Sequence, residues 1–170
     1  MTNNRSRLAF TAIEMVTVLT VMIILTGMAV PALMPSIRKA RVNEGAEAIT
    51  AIASQARALA RGSAANDTQR YGVVVVNDAQ GSWAAVTYGA TASQATVLDA
   101  ANGKRPLGAN VTVTMPTAAH GWMYQNRSGM LYGTAPFEQV TVRSLDASAE
   151  GRYRKAVAVY YLGYSHAQDM

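Results

Sequence analysis

The sequence contains no cysteine and only two histidines, His120 and His166. The absence of cysteine excludes disulfide frameworks, thiolate metal sites and cysteine nucleophiles. Two histidines are too few for a histidine-rich metal site. We interpret each as a surface residue, His120 beside a turn and His166 near the last residues of the chain.

Other catalytic signals are also missing. The acidic residues are scattered, mostly through predicted loops, and no run has the alternating oxygen ligands of a calcium loop. No glycine-containing segment matches a phosphate-binding loop. A base, a nucleophile and a metal cluster do not occur together in an order that suits catalysis. The sequence therefore predicts no enzyme, no cofactor and no metal site.

Charge is missing from a long stretch near the N-terminus. Between Met15 and Val30 there is no charged residue, whereas residues 1–9 contain two arginines and no acid. A basic flank of this kind stays on the cytoplasmic side of a membrane. As a helix, Phe10–Met34 would measure about 37 Å, enough to cross the hydrocarbon core. A secretory signal peptide, a plain transmembrane anchor and a specialised N-terminal segment all fit this pattern.

Glu14 distinguishes among these alternatives. A carboxylate at the centre of a membrane helix costs about 2.5–3.5 kcal/mol or more. A signal peptide or plain anchor is expected to lack such a residue unless the carboxylate has a partner. The alternative is that an ordinary membrane segment places Glu14 near the membrane–water interface, where its carboxylate extends into water.

The string 9–16, AFTAIEMV, resembles the type IV prepilin cleavage and methylation motif. In that family a peptidase cuts before a Phe or Met, the new N-terminus is methylated, and a glutamate follows four positions later. Phe10 and Glu14 match this spacing, and Pro31 falls where the family commonly has proline. The resemblance implies a prepilin peptidase as partner, cleavage between Ala9 and Phe10, and N-methylation of Phe10. The family usually has glycine before the cut, where this chain has Ala9.

This resemblance suggests a role for Glu14 in assembly. Cleavage would free an α-amine on Phe10. In a filament, Glu14 of one subunit could then face the amine of a neighbour, and the pairing would compensate for burying both charges.

A second helical pattern follows the apolar run. Apolar residues recur mostly at steps of three and four, as in an amphipathic helix. They are Ile37, Ala40, Ile49, Ile52, Ala53, Ala56, Leu59 and Ala60. The helix is predicted to end near Arg61–Gly62, because glycine favours a C-terminal stop. Pro31 and Pro35 predict a kink or local melting, or a simple break between anchor and domain.

From Ser63 onward, Val, Thr and Tyr become frequent and turn residues recur at short intervals. The predicted strands are Tyr71–Val76, Trp83–Tyr88, Asn110–Met115, Gly121–Gln125, Gly129–Tyr132, Glu138–Val142 and Ala156–Tyr164. Turns are predicted at 77–81 and 126–129, and surface loops at 91–106 and 146–151. Strands without intervening helices indicate an antiparallel sheet packed on the preceding helix, an α+β fold.

These patterns predict four segments. They are a leader at 1–9, a transmembrane and assembly helix at 10–34, an amphipathic continuation at 35–61, and a β-rich domain at 62–170. The order resembles GspH/FimT-like minor pseudopilins and minor pilins, although the final strand lacks the basic pair that often follows in that family. The resemblance implies a non-enzymatic structural subunit of a type II secretion pseudopilus or a type IV pilus. Its partners would be other pilin or pseudopilin subunits. It would cross the inner membrane once, with its C-terminal domain in the periplasm or outside.

Residues 151–155, GRYRK, suggest a second function. Arg152, Arg154 and Lys155 could neutralise phosphates while Tyr153 stacks on a base. A GRxR motif is associated with FimT-type minor pilins that bind DNA during natural transformation, and this segment resembles it. The alternative is a solvated strand edge on which cations prevent unwanted strand pairing. A single-span membrane protein of unrelated function remains the third hypothesis.

Overall fold

The computed structural model describes residues 11–79, 81–99, 102–115, 121–133, 137–145, 153–160 and 162–169. The chain divides into two compact units, Met1–Ile37 and Arg38–Met170. The predicted leader, the cleavage pair Ala9 and Phe10, and the predicted loop 146–151 lie outside the described residues.

Helix α1, Ala12–Gly62, contains the apolar run and its amphipathic continuation. It ends at the glycine that the sequence predicts as a stop. Pro31 and Pro35 both lie inside α1. The backbone stays helical through both, although each proline removes one amide donor and its ring crowds the carbonyl four residues earlier. The local melting and the break are therefore not observed, and the kink at these prolines stays a prediction.

One face of α1 is buried within the second unit. Its buried residues are Val42, Gly45, Ala46, Ile49, Ile52, Ala53, Ala56 and Ala60. Most are small, which brings neighbouring backbone close: a Cβ added at Gly45 would lie 2.8 Å from the carbonyl oxygen of Leu107. The sequence pattern starts this face too early, because Ile37 is 43% exposed and Ala40 is exposed. The buried stripe begins at Val42.

The described part of the chain contains nine strands, all paired antiparallel. They are β1 Arg70–Asp78, β2 Gly81–Gly89, β3 Thr96–Val97, β4 Arg105–Pro106, β5 Val111–Thr114, β6 Gly121–Met123, β7 Phe137–Ser144, β8 Arg154–Tyr160 and β9 Ser165–Asp169. Sheet A has the order β3-β2-β1-β6, with β4 also paired to β2, and sheet B has the order β5-β7-β8-β9. The predicted α+β class with antiparallel sheet is confirmed.

Three strand predictions need correction. Gly129–Tyr132 forms no strand and contributes only a bridge between Tyr124 and Leu131. The predicted loop 91–106 contains the short strands β3 and β4. The predicted final strand, Ala156–Tyr164, is split: β8 turns back into β9 at Gly163, whose φ of 84° suits glycine and ends an extended run.

The core of the second unit brings the buried face of α1 together with both sheets. Valines from β1, β5, β7 and β8 make up much of it, together with Leu107, Trp122 and Tyr124. Val140, Val142, Val157 and Val159 are fully buried on the inner face of sheet B. Because strand residues alternate between faces, the intervening residues of β7 and β8 lie on its outer face.

Candidate functional site

The apolar part of α1 presents large hydrophobic side chains to its surroundings. They include Ile13, Met15, Val16, Val18, Leu19, Val21, Met22, Ile23, Ile24, Leu25, Met28, Val30, Leu33, Met34 and Ile37, each at least 43% exposed. By length and composition this stretch can cross a membrane, a property that signal sequences share. A helix that is apolar all round needs lipid or other helices around it. This surface is the first candidate functional feature.

Glu14 closes a capping box at the start of α1. The backbone N–H and the hydroxyl of Thr11 donate to Glu14 Oε2 at 2.8 and 2.9 Å. In return, the backbone N–H of Glu14 donates to Thr11 Oγ1 at 3.3 Å. Reciprocal bonds of this kind satisfy free amides at a helix N-terminus. Sequence reasoning missed Thr11, although the T-x-x-E spacing was a visible signal.

The hydroxyls of the threonines in the apolar stretch form hydrogen bonds within the helix. Thr17, Thr20 and Thr26 donate to the carbonyls of Ile13, Val16 and Met22, each at 2.8 Å. A hydroxyl bonded to the carbonyl four residues earlier needs no partner outside its own helix. These residues therefore cost little in an apolar environment, and Glu14 is the only ionisable group from Ala12 to Ile37.

The predicted basic cluster does not form one patch among the residues that can be placed. Arg152 lies outside the described residues. Arg154 is exposed and faces Arg143 of β7 across the sheet. Lys155 lies on the opposite face, where its Nζ donates to Asn43 Oδ1 at 3.3 Å and lies 3.7 Å from Asp169 Oδ1.

The strand-edge alternative is wrong for Lys155. Lys155 pairs with Val142 of β7 on one side and Asp169 of β9 on the other, so β8 is an inner strand. Adjacent strand residues point to opposite faces, which separates Arg154 from Lys155. The same rule applied to the sequence could have revealed this separation.

The C-terminal end of α1 is held by two turns that sequence reasoning did not connect to it. The backbone N–H of Arg127 donates to the carbonyl of Ala60 at 2.7 Å, which satisfies one of the free carbonyls of the helix end. Arg57 Nη2 donates to the carbonyl of Leu162, also at 2.7 Å. Asn126 Nδ2 donates to the carbonyls of Asp67 and Gln69 at 2.9 and 2.8 Å. The predicted turn at 126–129 was the only local signal.

Two tyrosines in the second unit have shifted pKa values. The hydroxyl of Tyr88 donates to Asp67 Oδ2 at 2.9 Å, and this bond, together with burial, raises the pKa of Tyr88. Burial raises the pKa of Tyr124 to about 12. Its hydroxyl accepts a bond from Trp122 Nε1 at 3.0 Å. Both hydroxyls therefore stay protonated at ordinary pH.

The structure describes one of the two histidines. His120 lies outside the described residues, and His166 lies exposed on β9. Within the ranges that the structure describes, no three His, Asp or Glu residues come together as a metal site.

Comparison with known proteins gives one informative similarity. The crystal structure of the type IV minor pilin FimU from Pseudomonas aeruginosa is similar to this chain, with a TM-score of 0.53 and 14% sequence identity. The similarity covers 75% of this chain and 92% of the FimU chain. No family model matches the sequence, and no curated protein matches it. The resemblance expected from the sequence is confirmed at the level of the fold: the chain has a pilin-like fold.

Proposed function

We propose that the chain is a non-enzymatic structural subunit of a type IV pilus or a type II secretion pseudopilus. The observation that carries the proposal is the uncovered apolar half of α1, joined to a pilin-like fold. In a filament, such helices would cover one another, as lipid would cover them before assembly. The partners are other pilin or pseudopilin subunits.

The N-terminal residues are the proposed sites of cleavage and methylation. In this proposal a prepilin peptidase cuts between Ala9 and Phe10, and the new amine of Phe10 is methylated. Before assembly the protein lies in the inner membrane with its C-terminal domain on the far side, because the basic leader stays cytoplasmic.

Glu14 would act at two stages. In the single chain its carboxylate accepts two bonds from Thr11. In the filament it would pair with the amine of a neighbouring subunit, because two buried opposite charges compensate for each other. Thr11 thus keeps the carboxylate satisfied until that neighbour arrives.

Loss of the prepilin peptidase tests this function. In cells that have the enzyme, the chain should lose its leader and migrate faster in a denaturing gel than in cells that lack it. Mass spectrometry of the purified chain should place a methyl group on Phe10. A chain whose size is the same in both strains would instead be an unrelated single-span membrane protein.

Nucleic-acid binding is the second candidate function, and one observation favours it. Arg154 is exposed on the outer face of sheet B, where its guanidinium could approach a phosphate backbone. In a gel-shift assay with the full chain in detergent, Arg154→Ala should weaken DNA binding, whereas Lys155→Ala, on the other face, should not. Absent or salt-insensitive binding by the unsubstituted chain would rule this function out.

A further inference from the structure

The two edge strands of sheet B, β5 and β9, differ in whether their outward-facing backbone groups are already hydrogen-bonded. At the β5 edge, Asn77 Nδ2 donates to the carbonyl of Val113 at 2.7 Å, and the N–H of Val113 donates to Asn77 Oδ1 at 3.1 Å. Ser82 Oγ donates to the carbonyl of Val111 at 2.7 Å. These side chains occupy the positions that another strand would take, so this edge is closed to strand addition.

The other edge strand, β9, pairs only with β8 among the described residues. The N–H of Tyr160 donates to the carbonyl of Tyr164 at 3.0 Å, which marks Tyr164 as a residue that bonds back to β8. In an antiparallel pair such residues alternate, so the backbone groups of Ser165, Ala167 and Asp169 point away from β8. No residue that the structure describes hydrogen-bonds those groups.

A groove of about 840 Å³ lies between β9 and α1. Its helix wall runs from Glu47 to Arg61, about 21 Å at 1.5 Å per residue. That length matches about six residues of extended chain. Thr50, Ala51, Ser54 and Ala58 line the wall between its charged ends, and their small side chains leave room for a peptide backbone.

The two ends of the groove carry different charged residues. Arg57 and Arg61 lie at the end where β9 begins, since Arg57 donates to the carbonyl of Leu162 just before that strand. Glu47 lies toward the other end, where Lys155 contacts both Asn43 and Asp169. Arg61 is exposed and forms no ion pair with any described residue. A segment with acidic residues at the arginine end would complement this arrangement.

We propose that the groove binds an extended acidic segment of a neighbouring subunit, which joins sheet B as a strand beside β9. Main-chain bonds to Ser165, Ala167 and Asp169 would supply affinity, while Arg61 would select for acidic residues. That the donor is a filament subunit rests on the proposed function, whereas the chemistry of the groove does not.

Peptide binding to the full chain in detergent micelles tests the proposal. The probes are two fluorescent seven-residue peptides of alternating Thr and Val, one ending in two glutamates and the other in two lysines. Fluorescence anisotropy should show the acidic peptide binding at least about tenfold more tightly, with an affinity that falls as salt rises. Equal binding of the two peptides, or no binding of either, would overturn the proposal.

Two matched pairs of variants locate the site. Ser54→Trp should fill the groove and abolish binding, whereas Gln55→Trp, the adjacent exposed position outside it, should not. Arg61→Glu should remove the preference for the acidic peptide, whereas Arg127→Glu, the same charge change at an exposed residue outside the groove, should retain it. If both members of either pair behave alike, the groove is not the binding site.

Two further measurements separate the alternatives. The proposal would be overturned if the acidic peptide never binds but a single-stranded oligonucleotide does, and if Ser54→Trp abolishes binding of the oligonucleotide. That result would assign the groove to nucleic acid. Glu14→Leu should leave peptide binding unchanged, because Glu14 lies outside the groove. If this variant still assembles normally while the acidic peptide binds, the proposed role of Glu14 in assembly fails but the groove proposal stands.

Discussion

At the residue scale, Thr11 and Glu14 cap the start of α1, and Glu14 is also the proposed assembly contact. Their reciprocal bonds satisfy the first amides of α1, where no water would be available in a membrane. The same carboxylate is the candidate partner for a neighbouring amine.

Thr11→Val tests the capping role. The substitution removes the hydroxyl that bonds Glu14 and should destabilise the helix start by about 0.5–2 kcal/mol. Amide hydrogen exchange of the first turn in detergent micelles should then become faster. Thr17→Val is the control, because the Thr17 hydroxyl bonds a carbonyl within the helix rather than a free N–H. Equal exchange in the two variants would contradict the role of Thr11.

Tyr124 predicts a loss of stability at alkaline pH. Its folded pKa is about 12, against about 10 in an unfolded chain. Because the folded pKa is raised, the contribution of neutral Tyr124 to the free energy of unfolding is fully present below pH 10. It is lost as pH rises toward 12. The loss should reach about 3 kcal/mol at most. Tyr88 contributes with the same sign through its bond to Asp67.

Urea unfolding of the full chain in micelles, followed by tryptophan fluorescence, measures this loss. Tyr124→Phe should be less stable near neutrality, because Trp122 Nε1 loses its acceptor, but its stability should fall less between pH 10 and 12. Tyr132→Phe, at a 49% exposed position, should keep the original slope. An unchanged slope in Tyr124→Phe would refute the assignment.

At the element scale, the β8–β9 hairpin depends on a close approach between two glycines. Gly163 has a φ of 84° and Gly129 a φ of 67°. A Cβ added at Gly163 would clash with the carbonyl of Gly129 and lie 2.9 Å from Arg57 Nε. Glycine at 163 therefore allows both the turn and the contact with the end of α1.

Gly163→Ala should destabilise the second unit more than Gly81→Ala. Both glycines have positive φ, so each alanine should cost about 1 kcal/mol or more in backbone strain. At Gly81 no described atom lies within 4 Å of the added Cβ, whereas at Gly163 the clash adds to the strain. Urea midpoints of the two variants measure the difference, and equal midpoints would show that the contact with Gly129 can relax.

The elements differ in how well the sequence predicts them. The end of α1 at Gly62 and the β1–β2 hairpin follow from local signals: a glycine stop, and a turn between two Val- and Tyr-rich runs. The β8–β9 hairpin was missed because Gly163 interrupts a run that is otherwise uniformly strand-like. The roles of Asn77 and Arg57 could not be predicted, since each bonds a backbone group far along the chain.

At the scale of the whole molecule, the pilin-like fold was predictable because the N-terminal segment has a specific register. Phe10, Glu14 and Pro31 carry that information, and the long helix with its antiparallel sheets agrees with it. The candidate interaction groove was not predictable. It depends on which sheet edge is closed and on the packing of β9 beside α1, and neither leaves a local pattern.

Glu14→Leu should separate membrane insertion from assembly. The substitution makes the apolar helix fully uncharged, so insertion should be unaffected, but the neighbouring amine would lose its partner. We expect the variant in the membrane fraction and depleted from sheared filaments. Thr20→Leu, a polar-to-apolar change in the same helix, is the control. Unchanged co-assembly of Glu14→Leu would contradict the proposed contact.

The bond from Arg57 to Leu162 has a consequence for the order of synthesis. It joins residues 105 positions apart, so the ribosome releases the helix long before the turn that completes its surroundings. Until then the alanine- and isoleucine-rich stripe of α1 has no sheet B to cover it. Long-range closure of this kind slows folding. A nascent chain therefore exposes this apolar stripe until the residues of sheet B have been synthesised, and during that time the stripe is open to non-native association.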